Sequence, residues 1–237
     1  MSYVTAVIPA AGQGTRMNNV INKQFLLLQG KPVLAHTLEI FQNCQTVQDV
    51  VVVAAAGEEH CCRELVARLG LSKVISIVTG GKERQDSVAK GLSKISPECT
   101  LVVVHDGARP LLLPSHLMDV TRTAGETGAA VLAVPVKDTL KIIDKDFLVK
   151  KTPDRSTIWA VQTPQAFKKE IIIDCYRRAY QDGVIGTDDA SLVERYGYQV
   201  KIVPGTYENI KITTPEDLKL AEIILKGREQ SAGRKWV

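Results

Sequence analysis

The chain lacks any apolar run approaching the roughly 20 residues that a membrane-spanning helix needs, so we expect no membrane contact. Its first residues also lack a basic segment followed by an apolar one, and no secretory signal peptide is predicted. Its 17 glycines and 10 prolines among 237 residues are close to average, which excludes collagen-like and low-complexity chains. With 45% hydrophobic and 24% charged residues, the composition excludes whole-chain disorder and predicts a globular protein with a substantial core.

Cysteine is scarce and shows no metal-binding pattern. The five cysteines are odd in number, scattered and never in C-x-x-C spacing, and the adjacent pair Cys61 and Cys62 is a poor metal clip. Reduced thiols in a cytoplasmic protein are therefore predicted.

Charge is nearly balanced, since 30 Lys and Arg against 26 Asp and Glu leave a net charge of +4. So small an excess predicts no nucleic-acid partner, but it is compatible with anionic small molecules.

Short β-branched runs alternate with helical patterns along most of the chain. Strands rich in Val and Ile, typical of strands buried on both faces, are predicted at residues 5–8, 49–54, 74–78, 101–105, 129–134 and 199–203. Helices are predicted at residues 32–41, 58–69, 84–95, 115–123, 168–180 and 215–225. The alternation predicts an α/β fold with a Rossmann-like, mostly parallel sheet and helices on both faces. Ligands bind such sheets outside the carboxyl ends of the strands.

One segment, residues 136–157, breaks this alternation. Residues 140–143 and 147–149 are predicted as two short strands of a β-hairpin. An inserted hairpin can bury its apolar face on its own domain or in a second subunit, and the residues alone leave both open. The rest of residues 1–227 is predicted as a single domain, followed by a polar, frayed tail at 228–237.

The first strand runs directly into a loop of small residues ending in Arg16 and Met17. Small residues let backbone N–H groups approach a phosphate, and Arg16 offers a guanidinium fork to its oxygens. The loop lacks the Gly-Lys-Ser/Thr of a Walker A motif, and Met17 stands where a dinucleotide fingerprint needs its third glycine. A plain tight turn is the alternative. Lys23 could fold back over the same phosphates or be a solvated surface charge.

The end of the third predicted strand, at 74–78, is followed by a pair of glycines. Gly80 and Gly81 predict a sharp turn before a polar helix start that includes Ser87. A loop with a helix cap is the simpler interpretation. A loop that recognises a pyrimidine edge is the functional alternative.

A carboxylate follows the predicted strand at 101–105. Asp106 stands beside the small residue Gly107, and a carboxylate in such a place is a natural ligand for a hard cation such as Mg²⁺. Arg109 could hold an anionic substrate. An ordinary Asp turn with a surface arginine is the alternative.

Further anion-friendly residues come later in the chain. Lys141 enters the predicted hairpin and Arg155 leaves it. Thr187 or Asp188 is typical of a helix N-cap, and a helix N-terminus can also bind phosphate. Lys211 stands alone in an apolar segment, either as an edge-strand charge or as a ligand for a buried phosphate.

Taken in order, these segments resemble the 2-C-methyl-D-erythritol 4-phosphate cytidylyltransferase family, within the glycosyltransferase-A-like nucleotidyltransferase superfamily. The resemblance spans about residues 3–225. It rests on PAAGxGxRM at 9–17, KQ at 23–24, GGxxRxxSV at 80–88, HDxARP at 105–110, PVxDTxK at 135–141, Trp159, QTPQ at 162–165, TDxAS at 187–191 and NIK at 209–211. Ribitol-5-phosphate cytidylyltransferase is the nearest alternative. It would show Leu-Ala-Gly-Gly at 9–12 and lack the pattern at 137–141.

The resemblance implies a reaction of the non-mevalonate isoprenoid pathway. CTP and 2-C-methyl-D-erythritol 4-phosphate would give 4-diphosphocytidyl-2-C-methyl-D-erythritol and pyrophosphate, with Mg²⁺ as cofactor. The nucleophile would be the substrate's own phosphate, which agrees with the absence of a triad-like arrangement in the sequence. A non-catalytic nucleotide-sensing protein is an alternative of another class, but a sensor need not keep groups for the leaving pyrophosphate.

The resemblance also implies roles for individual residues. The catalytic residues would be Arg16, Lys23 and Lys211. The nucleotide would be bound by Pro9, Ala10, Ala11, Gly12, Gly14, Gly80, Gly81, Ser87, Asp106 and Gly107, and Asp106 would sit near the metal. The polyol phosphate would be bound by Arg109, Thr139, Arg155 and Thr187. The hairpin would be an arm that embraces a second subunit, so a homodimer is expected, with Thr139, and Arg109 as a second candidate, in the partner's site.

Overall fold

The structure, a computed structural model, describes residues 2–12 and 22–233. The predicted alternation of strands and helices is confirmed. The strands are β1 Val4–Ala10, β2 Leu27–Leu28, β3 Lys31–Pro32, β4 Asp49–Ala54, β5 Val74–Thr79, β6 Leu101–Val104, β7 Ala129–Pro135, β8 Ile142–Ile143, β9 Val149–Lys151, β10 Trp159–Lys168 and β11 Lys201–Pro204. The helices are α1 Val33–Asn43, α2 Glu59–Leu69, α3 Arg84–Leu92, α4 Pro114–Thr127, α5 Lys169–Gln181, α6 Asp189–Arg195 and α7 Pro215–Gly233. Short 3-10 turns lie at Lys23–Phe25 and Arg155–Thr157.

Seven strands form the central sheet, in the order β11-β7-β10-β6-β1-β4-β5. Every neighbouring pair is parallel except those of β10, which runs antiparallel to both β6 and β7. The predicted α/β fold with a mostly parallel sheet is therefore confirmed. β10 is not among the predicted strands, and its residues include Pro164 and two glutamines. The pairing register with β7 shifts between Val161 and Gln165, and this irregularity accommodates a proline that cannot donate to the ladder.

The sheet is covered on both faces, as the unbroken apolar strands predict. Successive residues of a strand point to opposite faces, so β1 supplies two separate cores. Ile8 packs in a cluster with Leu38 and Phe41 of α1. Val7 packs in the opposite cluster with Val88 of α3. Both faces of β1 are thus held rigidly, and the carboxyl end of the strand has a fixed place.

The hairpin at 136–157 is present, with shorter strands than predicted. β8 and β9 pair antiparallel, and Asp144 donates its backbone N–H to the Leu148 oxygen at 3.0 Å. Phe147 lies in the turn with φ of 61° and does not begin the second strand. Exposure of the hairpin's large apolar side chains ranges from 37% at Leu140 to 82% at Phe147. Within one chain, therefore, the apolar face of the hairpin is left uncovered.

The C-terminal segment differs from the prediction. α7 continues to Gly233, so residues 228–233 are helical and not a frayed tail. Arg228 holds this part of the helix, because it donates to Glu208 Oε2 at 2.9 and 3.0 Å and to the Leu111 oxygen at 3.0 Å. No helix among residues 2–12 and 22–233 is long and apolar enough to cross a membrane.

Candidate active site

A cleft of about 480 Å³ opens at the carboxyl ends of the central strands, where the parallel sheet predicts a ligand site. Its floor comes from the ends of β1 and β6, and its rim comes from the loop after β5. The lining residues are Pro9, Ala11, Gly12, Gln24, Gly81, Lys82, Glu83, Arg84, Ser87, Asp106, Ala108 and Lys211. These include residues from the motifs that follow β1, β5 and β6, together with Lys211, so the structure brings those motifs together.

The small-residue loop after β1 is described only as far as Gly12. Gln24, buried at 2% exposure, donates its Nε2 to the Gly12 oxygen at 3.3 Å and so ties this loop to the 3-10 turn. Gly14 and Arg16 lie outside the described residues. Lys23 begins the 3-10 turn, and its side chain also lies outside what the structure describes. The predicted contacts of these three residues with phosphate therefore stay predictions.

The glycine pair after β5 has no room for side chains. A Cβ on Gly80 would lie 2.4 Å from Ala11 Cβ, and one on Gly81 would lie 2.2 Å from Asp86 Cβ. Ser87 accepts the backbone N–H of Gly81 at 3.1 Å and donates to the Glu83 oxygen at 3.1 Å. Both hydrogen bonds of Ser87 are therefore ones that a loop followed by a helix start would make. Gly81 and Ser87 also line the cleft, and recognition of a base by this loop stays a prediction.

Two further residues assigned to the nucleotide lie behind the lining. Gly107 donates its N–H to the Pro9 oxygen at 3.1 Å, and a Cβ on Gly107 would lie 3.2 Å from Ala10 Cβ. Ala10 is 2% exposed and, like Gly107, does not line the cleft. Their small size lets the loops after β1 and β6 lie against each other.

Asp106 is the electrostatic centre of the cleft. Its Oδ2 lies 2.8 Å from Lys211 Nζ and 3.5 Å from Arg109 Nε, and its Oδ1 lies 3.3 Å from Arg84 Nε. Burial alone would raise the pKa of Asp106, but the three cations, with Arg84 first, hold it well below its usual range. The carboxylate is therefore ionised at neutral pH, and it gathers three positive charges at one point of the cleft.

Arg84 is a cleft residue to which the sequence reasoning gave no role. Arg84 NH2 donates to Asp189 Oδ2 at 2.8 Å. Asp189 lies at the start of α6 and is 0% exposed. Burial would lower the pKa of Arg84, but the charges of Asp189 and Asp106 raise it further above its ordinary value. The available signal was its place in the glycine motif at 80–88, directly after a strand end.

Arg109 lies at the site but faces the protein interior. Its NH1 donates to the Asn209 oxygen at 2.7 Å, and its side chain is only 14% exposed. Asn209 is fully buried and donates in turn to Gln162 Oε1 at 3.0 Å and to the Thr163 oxygen at 2.9 Å. Burial lowers the pKa of Arg109 despite its carboxylate neighbour. In one chain, Arg109 therefore supports the cleft and does not line it.

The remaining substrate residues lie away from the lining of their own chain's cleft. Thr139 and Arg155 are exposed on the hairpin, where Arg155 donates to the Lys137 oxygen at 3.0 Å. Thr187 is exposed at the start of α6, beside a small recess that Arg84 also lines. Of the two predicted caps of that helix, Asp188 is the one found, since its Oδ1 accepts the Ser191 N–H at 2.8 Å. A single chain thus does not assemble the predicted polyol phosphate site.

The carboxylates of the cleft are the side chains that could hold the predicted Mg²⁺. Among the described residues, no group of three or more His, Cys, Asp or Glu side chains could hold a metal ion. The cleft lining contains two carboxylates, Asp106 and Glu83. Magnesium is commonly bound through one or two carboxylates together with substrate phosphates. The donor set therefore fits a metal carried mainly by the nucleotide.

Comparisons with known proteins identify close relatives of the chain. A family model described as 2-C-methyl-D-erythritol 4-phosphate cytidylyltransferase matches residues 4–227. The enzyme of that name from Pelotomaculum thermopropionicum is 52% identical over 230 residues, covering 97% of each chain. Its counterpart from Bacillus velezensis is 51% identical and covers 95% of this chain and 97% of its own. A crystal structure of 4-diphosphocytidyl-2C-methyl-D-erythritol synthase from Anaerococcus prevotii is 32% identical with a TM-score of 0.84, covering 95% of this chain and 96% of its own.

Proposed function

The chain belongs to the 2-C-methyl-D-erythritol 4-phosphate cytidylyltransferase family, and we propose that it performs the reaction this name describes. It would join CTP and 2-C-methyl-D-erythritol 4-phosphate to give 4-diphosphocytidyl-2-C-methyl-D-erythritol and pyrophosphate, a step of isoprenoid biosynthesis. The observation that carries the proposal is the cluster of Lys211, Arg84 and Arg109 around Asp106, of which Lys211 and Arg84 line the same cleft as Gly81. A cleft with such charges suits the meeting of two phosphorylated substrates.

The proposed reaction depends mainly on electrostatic stabilisation of phosphate charge. An oxygen of the polyol phosphate attacks the α-phosphorus of CTP, the bond to the bridging oxygen of the β-phosphate breaks, and pyrophosphate leaves. Both reactants are anions, so fixed cations aimed at the developing charge lower the barrier. Lys211 would contact the α-phosphate, and Arg16 and Lys23 would hold the triphosphate. Mg²⁺, held by Asp106 and phosphate oxygens, would neutralise charge on the triphosphate.

The nucleotide would lie between the loops after β1 and β5. The backbone of Gly12 and Gly81 lines this part of the cleft, and neither residue has a side chain to obstruct a base or a phosphate. The residues proposed to frame CTP are Pro9, Ala10, Ala11, Gly12, Gly14, Gly80, Gly81, Ser87, Asp106 and Gly107. Ala10 and Gly107 would act from behind the lining, by keeping two loops in contact.

The polyol phosphate would be bound between two subunits. Thr139 and Arg155 are exposed on the hairpin and absent from the lining of their own cleft, whereas the hairpin's apolar face is uncovered. A homodimer in which each hairpin reaches the partner's cleft would satisfy both observations. Arg109 and Thr187 would complete the substrate site.

A cytoplasmic location is part of the proposal. All five cysteines are free, and four of them are buried. Burial raises the pKa of the Cys62 thiol to about 12 and that of Cys175 to about 11, so both stay protonated and unreactive. Unpaired cysteines are typical of a reducing compartment.

Pyrophosphate release with CTP and each candidate acceptor tests the function. We expect release with 2-C-methyl-D-erythritol 4-phosphate and little with ribitol 5-phosphate. Preference for ribitol 5-phosphate would contradict the substrate assignment. CTP binding by calorimetry with no release from either acceptor would favour a nucleotide sensor instead.

A further inference from the structure

A chain of hydrogen bonds lies directly behind the cleft and joins Asp106, which lines the cleft, to Arg109, which supports it. The backbone N–H of Asp106 donates to Thr163 Oγ1 over 3.1 Å, and the same oxygen lies 3.1 Å from His105 Nδ1. On the other side of the ring, His105 Nε2 lies 3.0 Å from the backbone oxygen of Arg109. The two ends of this chain are linked by an ion pair and not by a hydrogen bond, since Arg109 Nε lies 3.5 Å from Asp106 Oδ2.

The partners of the imidazole define which nitrogen carries its proton. A carbonyl oxygen only accepts, so His105 Nε2 must donate to the Arg109 oxygen. Nδ1 is then the acceptor, and the Thr163 hydroxyl donates to it while its oxygen accepts the Asp106 N–H. The ring is 0% exposed and lies 5.3 Å from the Phe41 ring, centroid to centroid. Packing therefore holds the imidazole where both of its hydrogen bonds are made.

We infer that His105 is a positioning residue for the nucleotidyl transfer, one that sets the places of Asp106 and Arg109 without touching either substrate. The inference rests on the proposed function. Asp106 depends on His105 because the hydroxyl that fixes its backbone is itself oriented by Nδ1. Arg109 depends on it because Nε2 anchors its backbone while Asn209 holds its guanidinium at 2.7 Å. Displacing either charged group by a fraction of an ångström disturbs the alignment of reacting phosphates.

Substitution of the ring tests the inference. His105→Phe keeps the ring shape and the contact with Phe41 but removes both hydrogen bonds. We expect its kcat to fall about 10- to 100-fold at saturating substrates. His105→Gln, whose amide nitrogen reaches about as far as Nε2, should donate to Arg109 again and recover part of the loss. A kcat of His105→Phe within about twofold of wild type would overturn the inference.

A remote destabilising substitution separates positioning from general loss of stability. Thr121 is buried on α4 and donates to the Leu117 oxygen at 2.7 Å, and it does not line the cleft. Thr121→Val should lower the melting temperature yet leave kcat unchanged. An equal loss of kcat in Thr121→Val would overturn the inference.

The tautomer is tested on the unmodified protein without substrate. Long-range ¹H–¹⁵N spectra report which imidazole nitrogen carries the proton, and His105→Gln assigns the signal among the four histidines. We expect protonation at Nε2, and protonation at Nδ1 would overturn the inference. This result does not depend on the reaction. Failure of the proposed function would appear separately, as wild-type protein with the Nε2 tautomer and no pyrophosphate release.

Discussion

Lys211 enters the cleft with one ion pair among the described residues, at 2.8 Å to Asp106. Its side chain is 36% exposed, whereas Arg84 and Arg109 are less exposed and each donates to a second partner. An incoming phosphate therefore competes most easily for Lys211. Lys211→Ala should lower kcat about 100- to 1,000-fold in a pyrophosphate-release assay, because charge stabilisation in the transition state is lost. Lys201→Ala, an exposed control on β11, should keep wild-type kcat; equal turnover of both variants would contradict the role.

Gly81 offers a second test at the scale of one residue. Gly81→Ala places a Cβ where Asp86 Cβ lies 2.2 Å away, so the loop must move at the rim of the cleft. We expect the KM for CTP to rise about tenfold or more, since backbone that frames the nucleotide is displaced. Gly125→Ala on α4 meets only an ordinary contact at 3.5 Å and should leave this KM unchanged. An unchanged KM for CTP in Gly81→Ala would mean that the loop does not frame the nucleotide.

Among the elements, α7 begins with a capping box that the sequence can show. Thr214 is followed three residues later by Asp217, whose Oδ2 accepts the backbone N–H groups of Thr213 at 2.8 Å and Thr214 at 2.9 Å. Burial would raise the pKa of Asp217, but these bonds and the Thr213 hydroxyl lower it. The carboxylate thus stabilises the folded state above its unfolded pKa of about 3.9, and that stability is lost as the pH falls through the lower folded pKa.

Asp217→Ala should therefore lower the free energy of unfolding by about 1 kcal/mol at pH 7. The difference from wild type should shrink as the pH falls from about 4 through the lower folded pKa, where the folded wild-type carboxyl takes up its proton. Denaturant unfolding at several pH values measures both effects. Glu216→Ala, exposed in the same turn, is the control and should follow the wild-type curve. A constant Asp217→Ala deficit down to low pH would contradict the ionised cap.

The elements also show how far sequence patterns reach. Strands such as β4 were predicted to the residue because five consecutive apolar residues, 50–54, are buried together after Asp49. β10 was missed because Pro164 and the glutamines around it do not form an apolar run, and their hydrogen bonds become visible only in the folded site. The pairing of Arg84 with Asp189 spans 105 positions, so no local pattern could reveal it. The order of the motifs was enough to predict where the cleft lies. The ion pairs within the cleft could be identified only from the folded structure.

For the whole molecule, the proposed homodimer makes a prediction about mixed dimers. If each cleft uses the partner's hairpin, Lys211→Ala damages a cleft and Arg155→Ala damages the hairpin that serves the other cleft. A heterodimer of the two variants then contains one intact site. That site combines the unaltered cleft of the Arg155→Ala subunit with the unaltered hairpin of the Lys211→Ala subunit. Random exchange between equal amounts should restore about a quarter of wild-type sites, since half the dimers are mixed and half of their sites are intact.

The measurement is pyrophosphate release after the two variants are mixed, with subunit exchange followed by native mass spectrometry. Each variant mixed with itself is the control and should stay inactive. Mixed dimers without recovered activity would place Arg155 in its own chain's site.

Deletion of residues 140–149 should give monomers, because it removes the uncovered apolar side chains that a partner would bury. A dimer of unchanged stability after the deletion would assign the interface to another surface.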